Sequence, residues 1–263
     1  MLIENINKFY RNQKLKFSIK SQINSDRKVL FWWRDDDISD VTEGLTNILM
    51  ISEIYKIPIY ISVIPERISD DAISLINEYS NISVLQHGYS HNNYAKEGEP
   101  LSEFGLDRDI KLQLDEIKLG FEKLRNSFND KFLPIFVPPW NHIASPIINE
   151  LSELGFRGVS CLGNNLSEYP NLFNNNVKID IHSWQTKSET EYKSFCKEYS
   201  LIIKEISDLI TNTKDSHTSD ISIGLLTHSQ IMSKDDFTMI HQLIIELKKT
   251  EIHFIKRDEY FKN

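Results

Sequence analysis

Cysteine, basic clusters and long apolar runs are all scarce in this sequence of 263 residues. Its two cysteines, Cys161 and Cys196, are too few for a disulfide framework, and no Cys-x-x-Cys spacing indicates a zinc ribbon. Acidic residues outnumber basic ones by 38 to 30, and the net charge of -8 without a basic block argues against a general nucleic-acid binder. No apolar run approaches the roughly 20 residues of a membrane span. Glu4, Asn5 and Asn7 interrupt the apolar stretch of a secretory signal, so we expect a cytoplasmic protein.

Apolar runs alternate with helical patterns along the chain. Apolar positions from Ile110 to Phe128 recur at helical spacing and predict a long amphipathic helix. Further helices are predicted after Thr42, over 146–155, over 190–211 and after Ser233, which resembles a capping box with Asp236. Strands are predicted over 28–34, 57–64, 82–86, 134–137, 158–161, 177–181, 221–227 and 252–255.

This alternation predicts the fold class. Continuous apolar strands that alternate with helices are typical of a parallel sheet covered by helices. Six or seven such units favour an α/β fold of one domain over residues 28–263, a distorted (β/α) barrel of about seven parallel strands. Residues 1–27 are predicted to be an N-terminal helical extension, because their apolar positions could form a helix that plugs the barrel or meets another subunit.

Polar clusters follow the ends of several predicted strands, where barrel enzymes carry their chemistry. The first cluster is Arg34-Asp35-Asp36-Asp37, whose carboxylates repel one another unless a cation is present. The second contains His87 and His91, four residues apart and able to share one metal ion. An Asp and two His form a complete set of protein ligands for a catalytic divalent ion. A solvated acidic turn remains the alternative for the first cluster.

Three further clusters contain aromatic and histidine side chains. Pro138, Pro139, Trp140 and Asn141 follow the strand at 134–137 and could form either a rigid loop or a wall on which a sugar ring stacks. The other two clusters are Asp180-Ile181-His182-Ser183-Trp184 and Leu225-Leu226-Thr227-His228-Ser229.

Together these clusters resemble the polysaccharide deacetylases of carbohydrate esterase family 4, also called the NodB-homology family. That family has an Asp-Asp pair, a His-x-x-x-His pair, a Pro-Pro-aromatic motif, an Asp/Trp motif and a late Leu-x-His motif, and all five occur here in order between residues 31 and 228. The pieces Trp33-Arg34-Asp35-Asp36-Asp37 and Ser102-Glu103-Phe104-Gly105 look like a divergent branch of the family.

The resemblance implies metal-assisted hydrolysis of an acetyl group, usually N-acetyl on an amino sugar. The implied cofactor is one divalent ion, Zn²⁺ first and Co²⁺, Ni²⁺ or Mn²⁺ as alternatives, which lowers the pKa of its water from about 15.7 towards about 7. The metal ligands that the resemblance implies are Asp37, His87 and His91. It implies Asp36 as the general base, His228 as the general acid and Asp180 as the residue that orients His228. The implied substrate contacts are Trp140, whose backbone N–H would lie near the oxyanion, and Pro139, Trp184, Asn141 and Arg34.

Two departures from the family pattern leave alternatives open. Three consecutive Asp residues allow the pair to be Asp35-Asp36 as well as Asp36-Asp37, and the position of Arg34 two residues before Asp36 favours the second. The family commonly has an Arg before Pro-Pro that pairs with the base. That position is Val137 here, and Arg34 is a candidate replacement.

Three functions compete at this point. The first is deacetylation of a saccharide or of a nucleotide- or lipid-linked sugar precursor. The second is hydrolysis of another amide on the same barrel, and the third is a catalytically silent carbohydrate-binding protein. The expected partners are thus a saccharide substrate and a second copy of the chain in a homo-oligomer, with no nucleic acid and no membrane span.

Overall fold

The computed structural model describes residues 27–163, 171–188, 191–212 and 220–262. Apart from Arg27, the N-terminal helical extension predicted for 1–27 lies outside the described residues. The described strands are β1 (Val29–Ile38), β2 (Ile59–Val63), β3 (Ile82–His87), β4 (Phe132–Val137), β5 (Gly158–Val159), β6 (Phe173–Asn174), β7 (Ile179–Asp180), β8 (His182–Ser188), β9 (Glu191–Cys196), β10 (Ile221–Thr227) and β11 (His253–Phe254). The described helices are α1 (Glu43–Tyr55), α2 (Asp70–Asn77), α3 (Ile110–Phe128), α4 (Ser145–Ile148), α5 (Tyr199–Asn212) and α6 (Lys234–Lys248).

A curled, parallel sheet forms the centre of the molecule. Its strands follow the order β6-β5-β4-β3-β2-β1-β10-β7, and β11 pairs with the start of β1. The path contains eight parallel strands, and the prediction was about seven. A parallel bridge between Leu162 and Val177 links the segment after β5 to the segment before β7. The predicted single-domain, distorted (β/α) barrel is confirmed.

The two faces of β1 have different neighbours. Val29, Phe31 and Trp33 pack in the large core between the sheet and the helices. Leu30 and Trp32 pack inside the curl of the sheet. Because side chains alternate along a strand, Arg34 and Asp36 continue the inner row and Asp35 continues the outer row.

Aromatic rings fill the inside of the curled sheet towards the amino ends of its strands. Trp32 meets Tyr60 and Tyr260 edge to face, with ring centroids 5.8 and 5.4 Å apart, and the Tyr60 hydroxyl donates to the Ile255 carbonyl oxygen. This packing leaves the opposite end, at the carboxyl ends of the strands, for polar side chains.

The prediction of a helix over 190–211 is wrong in its first part. The structure has an antiparallel hairpin of β8 and β9, and α5 begins only at Tyr199. Buried apolar residues at helical spacing start at Ile202 and continue through Ile206 and Ile210. Upstream of Tyr199 there is no such row, and the two strands pair with each other instead.

Candidate metal centre and active-site cleft

The three consecutive Asp side chains have three different surroundings. Asp35 is fully buried on the outer row of β1 and accepts hydrogen bonds from the Thr227 hydroxyl and from the backbone and hydroxyl of Ser229, at 2.9 and 2.6 Å for the latter two. Burial raises the pKa of Asp35 to about 6. Its carboxyl thus ties β1 to the turn after β10 and does not face the cleft.

Asp36 lies on the inner row beside a buried arginine. Arg34 Nη2 donates to Asp36 Oδ2 at 2.9 Å, while Arg34 Nη1 donates to the carbonyl and hydroxyl oxygens of Ser160 at 3.0 and 2.7 Å. Asp36 Oδ1 is buried and has no hydrogen-bond partner among the described residues. Burial acts to raise the pKa of Asp36, but the charges of Arg34 and then His87 outweigh it and hold the pKa below its usual value.

Asp37 and two histidines meet at one point. His87 Nε2 and His91 Nε2 lie 3.0 and 3.1 Å from the same oxygen, Asp37 Oδ1. Asp37 lies within an irregularity in the pairing of β1 with β2, between Asp35 and Ile38, and has a positive φ of 70°. Bulges of this kind re-aim side chains, and here the bulge turns Asp37 towards the histidines. Burial acts to raise the pKa of Asp37, but hydrogen bonds from both histidines hold it well below its usual value.

The donor set of this centre fits a divalent cation. His87 Nδ1 lies 3.0 Å from the Val137 carbonyl oxygen, which can only accept, so Nδ1 carries the proton. In a neutral ring, Nε2 would then turn a lone pair towards Asp37 Oδ1, which is also an acceptor. A second proton or a cation must separate these two acceptors. Burial acts to lower the pKa of His87, but the contact with Asp37 raises it. A backbone partner that fixes the tautomer of a histidine is a usual support of metal ligands.

The loop between the two histidines is held by a buried glutamate, Glu103. Its Oε1 accepts from the Ser90 backbone N–H at 2.6 Å and from the Ser90 hydroxyl at 2.9 Å, and the Tyr89 N–H lies 3.2 Å away. Gly88 has a φ of +57°, and a Cβ there would lie 2.1 Å from Glu103 Oε2. No role was predicted for Glu103, whose one signal in the sequence is a charged residue between Ser102 and Phe104 in a polar loop.

The opposite wall contains His228, Asp180 and Trp184. The Trp184 ring meets His228 edge to face, with centroids 4.9 Å apart. Asp180 accepts hydrogen bonds from the backbone N–H of His182 at 2.8 Å and from Trp184 Nε1 at 2.7 Å. Ligand atoms of Asp180, His182 and His228 lie within 4.8 Å of one another. His228 Nδ1 has no hydrogen-bond partner among the described residues, so Asp180 approaches it without bonding to it.

An aromatic residue forms a third side of the site. The Trp140 ring packs on His91 with centroids 4.5 Å apart. Asn141 accepts from the Leu162 backbone N–H at 2.7 Å. Among the seven described non-glycine residues with positive φ, four belong to the site: Asp37, His91, Trp140 and Asn141. Such conformations are uncommon and cluster at functional sites.

These side chains surround one cleft of about 350 Å³. It brings together nine of the predicted site residues. The predicted residues that line it are Asp36, Asp37, His87, His91, Trp140, Asn141, Asp180, Trp184 and His228. Arg34 lies beneath it against Asp36, and Pro139 is buried beside Gly88. Pro138 and Leu226, from two of the polar clusters noted in the sequence, also line the cleft; Pro100, Leu101 and Leu162 complete the lining and were not predicted.

Comparisons with known proteins identify the fold. No protein-family model and no curated protein sequence matches the chain. Among solved structures, a candidate polysaccharide deacetylase from Mycobacterium smegmatis is 12% identical, with a TM-score of 0.63 and coverage of 90% of both chains. A peptidoglycan N-acetylglucosamine deacetylase is 14% identical, with a TM-score of 0.56 and coverage of 90% of this chain and 89% of the other.

A third solved structure agrees with these two. A family 4 acetyl xylan esterase from Clostridium thermocellum, in complex with a cobalt ion, is 14% identical, with a TM-score of 0.54 and coverage of 89% of this chain and 90% of the other. In the described part of the chain, no helix has both the length and the apolar character of a membrane span. The three solved structures confirm, in the architecture, the resemblance inferred from the five motifs: the chain has the fold of the polysaccharide deacetylases of carbohydrate esterase family 4.

Proposed function

We propose that this protein is a metal-dependent hydrolase that removes an acetyl group, most simply N-acetyl, from a saccharide. One observation carries the proposal: Asp37, His87 and His91, which together could hold a metal ion, share a single cleft with a second carboxylate, Asp36, and with a histidine on the opposite wall, His228. Solved structures of the same fold include a peptidoglycan N-acetylglucosamine deacetylase and an acetyl xylan esterase, which supports the same class of reaction.

Metal binding is assigned to Asp37, His87 and His91. A divalent cation, when bound, supplies a water of lowered pKa and polarises a carbonyl oxygen. Two imidazoles and one carboxylate favour Zn²⁺ and also suit Co²⁺, Ni²⁺ and Mn²⁺. Three protein ligands leave positions open for water and substrate, as a catalytic site requires.

Asp36 is the proposed general base. One of its oxygens is paired with Arg34, and the other has no partner among the described residues, so it has a lone pair for the proton of the attacking water. The lowered pKa of Asp36 keeps the carboxylate ionised at neutral pH. Asp35 cannot take this role while its oxygens bind Thr227 and Ser229. This arrangement supports the Asp36-Asp37 register over Asp35-Asp36.

His228 is the proposed general acid. In the complete reaction, the oxygen of water adds to the acetyl carbon and its proton passes to Asp36. The C–N bond then breaks, and the leaving amine takes a proton from His228. Asp180 lies within 4.8 Å of His228 and is the proposed residue that orients it, and the Trp184 ring packs against the His228 ring. Proton transfer by positioned groups contributes about 10²- to 10⁴-fold to such rates.

The aromatic walls define the proposed substrate class. Trp184 is 43% exposed, and Trp140 also borders the cleft, so each offers ring surface to a sugar. Leu226 and Leu162 add apolar lining suited to a methyl group. The Trp140 backbone N–H is the proposed oxyanion donor, and Asn141 and Pro139 set the shape of that loop.

Acetate release on a substrate panel tests the proposal. The panel contains N-acetylated oligosaccharides, O-acetylated xylan fragments, and nucleotide- and lipid-linked N-acetyl sugars. We expect Asp36→Asn to lower turnover at least about 100-fold and to retain its metal. The matched control Asp71→Asn, an exposed Asp of α2, keeps parent activity.

Other outcomes of the panel identify the competing functions. Saccharide binding that is unchanged by Asp36→Asn, with no acetate released from any substrate, would identify a silent carbohydrate-binding protein. Release of formate, or opening of a cyclic ureide, in place of acetate release would identify a different amide hydrolase on the same barrel. A chain that takes up no divalent ion would refute the metal-dependent mechanism.

A further inference from the structure

A second cluster of potential metal ligands lies at the base of the β8–β9 hairpin. His182 and Cys196 are directly opposite each other on the two strands. Asp236 belongs to the first turn of α6. One imidazole nitrogen, the thiol sulfur and one carboxylate oxygen of these three residues lie within 4.8 Å of one another. The reaction proposed above uses neither Cys196 nor Asp236.

The histidine of this cluster is available as a ligand. The His182 side chain is only 2% exposed, and its Nδ1 has no hydrogen-bond partner among the described residues. The nearest carboxylate oxygen to that nitrogen, Asp180 Oδ1, is 3.8 Å away. Burial lowers the pKa of His182, so the ring is neutral and its unprotonated nitrogen keeps a lone pair, as a metal ligand requires.

The carboxylate is also available. Asp236 Oδ2 accepts from the Ser233 backbone N–H at 2.7 Å and from the Ser233 hydroxyl at 2.9 Å, in the predicted capping box. Burial acts to raise the pKa of Asp236, but the hydrogen bonds from Ser233 and Cys196 lower it. The capping box therefore holds the ionised group in place through one oxygen and leaves the second oxygen for another ligand.

The thiol completes a mixed set of nitrogen, sulfur and oxygen donors. Cys196 is a free, half-buried cysteine whose Sγ contacts the Lys197 carbonyl oxygen at 3.7 Å. Burial raises the pKa of the Cys196 thiol to about 12. A thiol protonated at neutral pH is a poor nucleophile, which argues against a catalytic role. A bound cation replaces that proton: the S–H bond is exchanged for a sulfur–metal bond, and one proton passes to solvent.

We propose that His182, Cys196 and Asp236 form a second metal site, which takes a thiophilic divalent ion of the zinc type and fixes the β8–β9 hairpin against α6. Zinc bonds of about 2.0–2.3 Å in a tetrahedral site place its donor atoms roughly 3.3–3.6 Å apart, which small side-chain rotations reach from the present positions. The fourth position belongs to water. Because β8 also carries Trp184, the ion stabilises one wall of the cleft. The site does not depend on the proposed deacetylation.

Cobalt substitution tests this proposal through its colour. A thiolate bound to Co²⁺ gives a near-ultraviolet charge-transfer band that nitrogen and oxygen ligands do not give. We expect the reduced, chelator-stripped chain to bind two Co²⁺ and to show this band. The band disappears in Cys196→Ser, which binds one Co²⁺. It persists in Cys161→Ser, the matched control at the other cysteine, and in the His87→Ala/His91→Ala double variant, which lacks the first site.

Two further measurements keep the test decisive. Asp236→Asn retains a side chain that can cap α6, and we expect it to bind Co²⁺ at the thiol site at least about tenfold more weakly than the parent. Zn²⁺ added to the Co²⁺ form should bleach the band. Absence of the band in the folded parent at saturating Co²⁺, or a band that survives Cys196→Ser, overturns the proposal. If only the centre of Asp37, His87 and His91 fails to bind metal, the chain binds one Co²⁺ and still shows the charge-transfer band.

Discussion

Replacing Glu103 by Gln should weaken metal binding at a site that Glu103 does not touch. In the parent, Oε1 receives the Ser90 N–H and hydroxyl at 2.6 and 2.9 Å, and the Tyr89 N–H lies 3.3 Å from Oε2. A Gln fills the same space but points an NH₂ group at one of these donors. Loss of hydrogen bonds to a charged acceptor costs about 1.5–3 kcal/mol, which corresponds to about 10- to 140-fold in an equilibrium constant. Changes to residues that support metal ligands have similar effects.

A chelator competition for Zn²⁺ measures this effect directly. Glu97→Gln is the matched control, because Glu97 is an exposed glutamate of the same loop. Amide hydrogen exchange should accelerate at Tyr89 and Ser90 in Glu103→Gln but not in the control, while amides of the central strands keep their parent rates; a general loss of stability would accelerate exchange at both. An affinity within about threefold of the parent, in a folded variant, would show that the loop does not need Glu103 and would refute the reasoning.

Three further substitutions test the supports of the cleft. Gly88→Ala should reduce Zn²⁺ affinity in the same competition, whereas Gly98→Ala should not, because both glycines have positive φ but only a Cβ at Gly88 meets neighbouring atoms. In urea denaturation, Arg34→Met should lower the free energy of unfolding by about 3–5 kcal/mol, since it leaves Asp36 buried without its ion-pair partner. Adding Asp36→Asn to Arg34→Met should restore part of that loss, and a simple sum of the two effects would argue against the pair. Asp35→Ala should lower unfolding free energy by about 2 kcal/mol more than Asp35→Asn, because only Asn keeps an acceptor for the buried donors.

The parts of the fold that sequence predicts are those with a regular period. The apolar residues of α3 recur at helical spacing over five turns, and the structure places that helix at Ile110–Phe128 as predicted. The capping box of Ser233 and Asp236 is confirmed by both of its hydrogen bonds. The hairpin of β8 and β9 has no comparable apolar row, and its pairing depends on the partner strand. Its residues were therefore partly assigned to a helix.

Site residues whose direction depends on local backbone geometry are harder to predict. Within a run of three consecutive Asp residues, only the spacing from Arg34 distinguishes the members in the sequence. Their surroundings become different only because β1 buries its two faces differently and because a bulge follows Asp35. Glu103 contacts a loop 13 and 14 residues away, at Ser90 and Tyr89, without any repeating pattern between them. A motif search therefore finds the candidate ligands more readily than the residues that hold them in place.

The chain has no arginine directly before Pro138, yet Asp36 still has a guanidinium partner. Val137 stands at that position, and its side chain packs inside the curled sheet. The guanidinium that pairs with Asp36 comes instead from Arg34, two residues earlier on the same strand and the same face. It spans the interior to Ser160, so that β1 and the segment after β5 are joined through the ion pair. An arginine on β1 in place of one at the end of β4 keeps a positive charge next to Asp36. The missing Arg before Pro138 is therefore no evidence that Asp36 lacks its ion-pair partner.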